Sequence, residues 1–277
     1  MLQDFDEGVY LIYARSIAPF LFEPEMSKMK RFLSLGIALI FSFWNLEFSH
    51  ATASTHIWAP STDTQDWGTG HITADTYVPI ERNRDGSRAR TITDEGLEFG
   101  MLPFKKLRAE AGFDFKTGYG DLDSWPMFFN GKFAIPEDSY GPYFPAVAAG
   151  VYDVGTRAAR TNYNIAYVKT AKTIKVKDLN LGRFSIGYFW GNNELLLDKD
   201  GRRDNEGIFW AWERTMTEIS DKLWVCTEYQ ATESVYGAFN LGFSVQFTKD
   251  ISTIVGYQFY NNKNFADTYT VQLDINY

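Results

Sequence analysis

Apolar and polar residues alternate along most of the chain from about residue 71 onward. The clearest run is Tyr269 to Tyr277, in which every odd position is apolar or aromatic and every even position is polar. A period of two is that of a β-strand, whose side chains point alternately to two faces. No stretch of ten or more residues in this region keeps a helical period. The pattern therefore predicts an all-β protein.

Twelve such runs follow one another, separated by turn residues, which is the pattern of an antiparallel sheet with short connections. An even number suits a single-chain antiparallel barrel. The long connection at 136–145 keeps ten or fourteen strands open as alternatives. The runs are 71–80, 97–101, 107–116, 127–135, 146–155, 163–167, 183–190, 208–213, 223–230, 239–248, 251–260 and 269–277.

The last run also has aromatic residues at both ends and aliphatic residues between them. A strand that crosses a bilayer meets an interface, hydrocarbon and a second interface in that order. Nine residues tilted by about 40° cover roughly 20 Å of the membrane normal. This ending resembles the C-terminal strand of bacterial outer-membrane β-barrels, which closes on a terminal aromatic residue. The resemblance implies a porin-like, transmembrane, antiparallel up-and-down β-barrel, surrounded by outer-membrane lipid and recognised by the barrel-assembly machinery during biogenesis.

The front of the chain predicts export. Lys28, Lys30 and Arg31 precede an apolar run at 32–44, and Ala51-Thr52-Ala53 follows as an A-x-A cleavage site. We expect residues 26–53 to be a Sec signal peptide of a Gram-negative bacterium. Residues 1–25 are acidic where such a signal is basic, so they are interpreted as a mis-called N-terminal extension. The polar stretch 54–70 is expected to be a periplasmic tail or a plug in the lumen, and 71–277 the barrel.

A periplasmic C-terminus would fix the orientation of the connections. Those expected in the periplasm are 103–106, 136–145, 175–182, 217–222 and 249–250. The charged loops at 81–90, 118–125, 191–206 and 261–267 would then lie outside, as the longer loops of such barrels do.

Charge and composition narrow the function further. Of 35 acidic and 27 basic residues, six and four precede Ser54, so the chain from Ser54 carries a net charge near −6 without a basic stripe. A nucleic-acid partner is therefore not expected. The mean hydropathy of −0.28 suits a barrel in which only alternate residues face lipid. The single cysteine, Cys226, excludes an intrachain disulfide, and neither a metal site nor a cofactor is expected.

The polar faces of the runs supply candidate functional residues. Charged side chains there are expected to line the lumen, where they either set the selectivity of a pore or pair with one another across strands. These are Arg108, Glu110, Asp114, Lys116, Lys132, Arg183, Glu213, Glu228 and Asp274.

Aromatic residues near the ends of the runs are expected to form interfacial girdles, with stacking on sugars as the other role open to them. The girdle set is Tyr188, Trp190, Trp210, Trp212, Tyr257, Phe259, Tyr269 and Tyr277.

Three functions are compatible with this pattern. The first is a narrow channel for small hydrophilic solutes, and the second is a non-conducting structural or adhesive barrel whose outer loops bind a partner. The third is a lipid hydrolase, which would need His56 or His71 to reach a serine such as Ser185 or Ser244. No G-x-S-x-G motif surrounds any serine, so no catalytic residue and no enzyme is predicted. If the chain were soluble without detergent, a periplasmic β-sandwich or jelly roll would replace the barrel.

Overall fold

Twelve antiparallel strands form one closed barrel in the computed structural model, which describes residues 54–82, 86–177 and 179–277. The predicted extension (1–25) and signal peptide (26–53) lie outside the described residues. The strands are β1 (Gly70–Pro79), β2 (Ile92–Gly100), β3 (Arg108–Thr117), β4 (Met127–Ile135), β5 (Ala146–Gly155), β6 (Asn162–Val176), β7 (Leu179–Trp190), β8 (Glu206–Thr215), β9 (Leu223–Gln230), β10 (Ala238–Gln246), β11 (Ile251–Tyr260) and β12 (Thr268–Asn276).

Every strand pairs with its neighbours in sequence, and β1 pairs with β12 to close the sheet. The closing register runs from His71 opposite Asn276 to Pro79 opposite Thr268. Two backbone hydrogen bonds extend the seam, from Gly70 N to Tyr277 O (2.9 Å) and from Tyr277 N to Gly70 O (3.0 Å). Closure leaves no unpaired strand edge, which is the condition for a sheet in a membrane. The predicted twelve-stranded up-and-down barrel is confirmed.

The distribution of buried and exposed residues is the reverse of that in a soluble protein. On β12, Tyr269, Val271 and Leu273 are each about 40% exposed on the outside (43%, 42% and 39%). Their polar neighbours Thr270 and Gln272 are 0% and 2% exposed, because they point into the filled interior of the barrel. Exposing these apolar side chains to water would be unfavourable in free energy, whereas contact with lipid would not.

The two ends of the barrel differ in their connections. We call the end at which Gly70 and Tyr277 meet the lower end, and the opposite one the upper end. A short 3-10 helix (Gly120–Ser124) lies in the upper β3–β4 connection. At the lower end, the predicted connection at 175–182 is wrong, because β6 runs to Val176 and β7 starts at Leu179, which pair directly.

Within the described residues, no helix is long and apolar enough to span a membrane.

Not every strand turns its apolar face outward. On β6, Ile165 (0% exposed) and Tyr167 (3%) point into the lumen and pack against Phe189 of β7 and Phe209 of β8. Val168, from the alternate set, is exposed on the outside. One wall of the barrel interior is therefore a small hydrophobic core.

Candidate functional site

The stretch before β1 folds into a hairpin inside the lumen. Its backbone hydrogen bonds run from Ser61 N to Ser54 O (3.0 Å) and from His56 N to Ala59 O (2.9 Å), which places the turn at Ile57 and Trp58. We call residues 54–61 the lumen hairpin. The chain then descends to the lower mouth, where Trp67 pairs in a bridge with Gly100 at the end of β2. The hairpin thus enters from the lower end and its turn points upward.

Glu228 of β9 holds the turn of the hairpin from one wall. Its fully buried carboxylate accepts hydrogen bonds from the amides of Trp58 (2.7 Å) and Ala59 (3.2 Å), and from the side chain of Asn240 (2.8 Å). A carboxylate that accepts several N–H bonds binds more strongly than a neutral acceptor would. Gln272 of β12 adds a hydrogen bond to Ile57 O at 2.7 Å.

The opposite wall holds both ends of the hairpin. Glu110 and Lys132, directly opposite each other on β3 and β4, form a buried ion pair of 3.1 Å. Lys132 Nζ donates to Ser54 O (2.7 Å) and to Ser61 O (3.4 Å). Glu110 accepts from Ser54 Oγ (3.1 Å) and from Gln65 N (2.7 Å), just after the hairpin. The alternation of side chains along the strands places these groups in the lumen, and the segment 54–67 supplies their hydrogen-bond partners.

Lys169 and His56 complete the ring of contacts on the β6 side. Lys169 Nζ donates to Pro60 O (2.8 Å) and lies 3.2 Å from His56 Nδ1. The other ring nitrogen of His56 is 3.4 Å from the carboxylate of Glu213 on β8. These three side chains form a continuous polar chain from the hairpin to the wall.

At the lower mouth, two arginines bind the chain that follows the hairpin. Arg183 of β7 contacts both carboxylate oxygens of Asp63, at 2.5 and 3.1 Å, and Thr62 Oγ1 at 2.7 Å. Arg108 of β3 lies 2.5 Å from Asp66. The segment 54–67 is therefore fastened at the turn, at the base and at the mouth.

Aromatic rings surround the turn of the hairpin near the upper end. The indole of Trp58 lies 5.4 Å from the Tyr77 ring, 5.8 Å from Tyr260 and 6.5 Å from Tyr236. Tyr236, in the β9–β10 connection, donates to Asp153. Burial, with the Asp153 carboxylate beside it, raises the pKa of Tyr236 well above its usual range, so the phenol keeps its proton.

A hollow of about 110 Å³ lies beside the hairpin, along the walls of β1 to β5. On the scale that gives a single water about 10–15 Å³, it has room for several water molecules. Its lining on β1 runs from His71 to Tyr77, roughly 20 Å along the strand, so the hollow spans much of the barrel height. It is acidic, because two lysines (Lys116 and Lys132) and one histidine (His71) face six carboxylates: Asp75, Asp94, Glu98, Glu110, Asp114 and Asp153.

Lys116 is the main cation in the upper part of the hollow. Its Nζ is 2.7 Å from Asp153 and 3.2 Å from Asp94. Asn130 donates to Asp114 at 2.6 Å. Thr73 and Tyr77 donate to Asp75 at 2.5 and 3.1 Å. The Lys116 ammonium group is thus within 4.0 Å of Asp94, Asp114 and Asp153, and carboxyl groups outnumber cationic groups in this part of the hollow.

The residues predicted to line the lumen divide into three groups in the structure. Glu110, Lys132, Arg183, Glu213 and Glu228 contact the segment 54–67 or its histidine, while Asp114 and Lys116 belong to the hollow. Arg108 also contacts this segment, through Asp66 at the lower mouth, and the third group is Asp274 of β12, which lies 3.2 Å from His71 Nε2.

The predicted girdle residues lie on outward-facing positions of the strands, except Tyr277, which directly follows β12 and is exposed. Tyr188, Trp190, Tyr257, Phe259 and Tyr269 are near the upper end, and Trp212 and Tyr277 near the lower end. Trp210 lies in the middle of β8, opposite Ile186 and Tyr229.

Sequence reasoning did not single out several residues of the site. Asp75, Asp94 and Glu98 lie on the polar faces of β1 and β2, so the period of two was a usable signal for them. Lys169 lies in the part of β6 beyond the predicted run. Asp153 lies at a register shift of β5 and has a positive φ of 52°, so the simple alternation does not place it.

The two histidines do not form the arrangement that a hydrolase would need with the serines considered. His71 contacts Asp274 and Asn276, and His56 contacts Glu213 and Lys169. Ser185 and Ser244 are buried on β7 and β10. Among the described residues, no group of three or more His, Cys, Asp or Glu side chains is placed to hold a metal ion.

Comparisons with known proteins bear on the fold alone. No protein-family model matches the sequence, and no curated protein matches it. Similar solved structures include the KdgM porin (TM-score 0.46, 7% identity, covering 75% of this chain and 98% of that one). The NanC porin has a TM-score of 0.44 and 16% identity, and the match covers 74% of this chain and 98% of that one. An outer-membrane channel from Pseudomonas putida F1 has a TM-score of 0.43 and 9% identity, and the match covers 78% of this chain and 97% of that one.

Proposed function

We propose that this protein is an outer-membrane β-barrel that acts as a narrow, cation-preferring channel for small hydrophilic solutes. The observation that carries the proposal is the acidic hollow, which follows the barrel wall beside the lumen hairpin for much of the barrel height.

The outer surface supports the membrane location. Exposed aliphatic residues face outward along the strands, as Val255, Val271 and Leu273 do on β11 and β12. Aromatic residues accompany them towards both ends, as expected where a barrel meets the two interfaces. The closed hydrogen-bonding of the sheet satisfies the backbone inside hydrocarbon.

The interior supports a channel rather than a fully packed barrel. A twelve-stranded barrel lies between small barrels that their own side chains fill and large ones that leave a wide aqueous pore. Here the hydrophobic core fills the side of β6 to β8, the hairpin crosses the lumen between the walls, and the hollow remains beside it on the side of β1 to β5. Surplus carboxylates attract cations and repel anions in such a constriction.

The test is the conductance of the chain from Ser54 onward, refolded in detergent and inserted into a planar bilayer under a KCl gradient. We expect small current steps with a reversal potential of the sign that indicates cation preference. Asp94→Asn should reduce that preference, while Glu95→Gln, a charge neutralisation on the outward face of the same strand, should leave it unchanged. Deletion of 54–66 should raise the conductance severalfold. An absence of steps from both the full and the deleted chain would contradict the proposal.

The same hairpin favours one alternative, a non-conducting barrel whose outer loops bind a partner. Its many buried contacts could keep the lumen closed. In that case the full chain would give no current, and only the chain lacking 54–66 would conduct.

A further inference from the structure

Ser54, the residue that directly follows the predicted A-x-A cleavage site, is buried in the lumen. It is 3% exposed and lies deep in the lumen, at the base of the hairpin. Its hydroxyl donates to Glu110 (3.1 Å) and its carbonyl accepts from Lys132 (2.7 Å). The carboxylate of Glu98, on the neighbouring strand β2, also contacts the Ser54 side chain.

Acidic side chains outnumber basic ones around Ser54 within the described part of the chain. Glu98 and Glu110 place two carboxyl groups there, and Lys132 supplies one ammonium group, at 3.1 Å from Glu110. His71 lies near Glu98, but its ring is engaged by Asp274 (3.2 Å) and Asn276 (3.0 Å). One oxygen of Glu98, Oε2, is buried without a hydrogen-bond partner among the described residues. A buried carboxylate without a partner is costly, so a further cation beside Glu98 would stabilise its ionised form.

We propose that Ser54 is the N-terminal residue of the exported protein, and that its α-ammonium group pairs with Glu98 and Glu110 to fasten the hairpin inside the barrel. The backbone nitrogen of a serine lies on the order of 3 Å from its own hydroxyl oxygen. Because that hydroxyl lies 3.1 Å from Glu110, the nitrogen lies at most about 6 Å from the Glu110 carboxylate, and a rotation of this terminal residue would bring the two into contact.

The positive charge on the Ser54 nitrogen appears only when the signal peptide is cleaved off. Hydrolysis of the Ala53–Ser54 peptide bond by a water molecule, catalysed by the export signal peptidase, leaves a carboxylate on Ala53 and an amino group on Ser54. The amino group takes up a proton at neutral pH, because an α-amino group has a pKa near 8. In the uncleaved chain the same nitrogen is a neutral amide. Processing therefore adds a positive charge beside the two carboxyl groups, and couples removal of the signal to locking of the hairpin.

The first experiment is independent of conductance. The protein extracted from outer membranes is analysed by mass spectrometry, and its α-amino group is then labelled with an amine-reactive reagent before and after unfolding. We expect a chain that starts at Ser54, with an α-amino group that reacts roughly tenfold or more slowly in the folded protein. A different first residue, or equal reactivity in both states, would overturn the proposal.

The second experiment tests the pairing itself. Glu98→Gln should increase the reactivity of the α-amino group and lower the midpoint of thermal unfolding, and Glu95→Gln on the outward face of β2 is the matched control. Acetylation of the α-amino group before refolding removes its charge, and Glu98→Gln should cause no further loss of stability in that acetylated chain. An equal loss in both chains would show that Glu98 acts without the α-ammonium group. Both readouts remain informative if the barrel does not conduct.

Discussion

At the level of single residues, the interior of this barrel is organised by carboxylates that meet backbone amides of the hairpin. Glu228 is the clearest case, because it has no exposed surface and receives the amides of both Trp58 and Ala59. A buried group with this many partners stabilises the hairpin only while it keeps its charge and position.

Replacement of this group is the first test at the residue scale. Glu228→Gln keeps the shape but turns an acceptor into a group that also donates, so we expect a loss of about 1–3 kcal/mol in the free energy of unfolding. Urea unfolding of the refolded protein measures it. The same substitution in a chain that lacks 54–66 should cost much less. An equal cost in the two chains would mean that Glu228 stabilises the barrel wall and not the hairpin.

Glu137, in the lower β4–β5 connection, gives a test by pH. Partial burial opposes ionisation, but hydrogen bonds from the Thr173 amide (2.8 Å), Lys172 (2.9 Å) and the Thr173 hydroxyl (2.9 Å) outweigh it and lower the pKa of Glu137. A folded-state pKa below the unfolded one gives stability that is present above the ordinary pKa of 4.5 and is lost as the pH falls below it.

We therefore expect Glu137→Gln to lower the midpoint of thermal unfolding at pH 7 and to have little effect near pH 3. Glu194→Gln, in an exposed part of the β7–β8 loop, should change neither value. A loss of the same size at both pH values would show that the contribution of Glu137 does not depend on its charge.

At the level of elements, the period of two was sufficient to locate the strands. The predicted runs at 127–135, 146–155, 223–230 and 251–260 coincide with β4, β5, β9 and β11. The alternation did not give the lower ends of β6 and β7, which continue to pair with each other beyond a register shift between Ile174 and Lys175. Nor did it show that the side chains of Ile165 and Tyr167 point into the lumen, because an apolar side chain can face either lipid or a packed barrel interior.

The outward face of a single strand provides the test at this scale. Val255 is 37% exposed and lies opposite Val271 in the register of β11 and β12. Arginine at this position would be placed in hydrocarbon, so we expect Val255→Arg to destabilise the barrel by about 2–4 kcal/mol in lipid vesicles. Tyr143→Arg, in an exposed lower loop, introduces the same charge outside the strands and should be nearly neutral. If both variants unfold alike, the outer face does not contact lipid.

At the level of the whole molecule, the sequence predicted the closed barrel and its strand number because closure repeats one local pattern twelve times. It left open the place of residues 54–70, because the hairpin has no period and is held by contacts such as Lys132 with Ser54 and Arg183 with Asp63. Those partners are about 80 and 120 residues apart in sequence, and only the curvature of the sheet brings them together. The acidic hollow has the same origin, since its charges come from strands that each looked amphipathic in isolation.

The seam between Gly70 and Tyr277 has a consequence for the order of assembly. These residues are joined by reciprocal hydrogen bonds although almost the whole barrel lies between them in sequence. Hairpins such as β10–β11 can form from local contacts, but the last pairing has to overcome the entropy of closing a loop of this length. Until then β1 and β12 are open edges that can pair with other chains. The slow, aggregation-sensitive step in the folding of this barrel is therefore the pairing of β1 with β12. A catalyst of assembly would act by shielding those two strand edges from other chains until they pair.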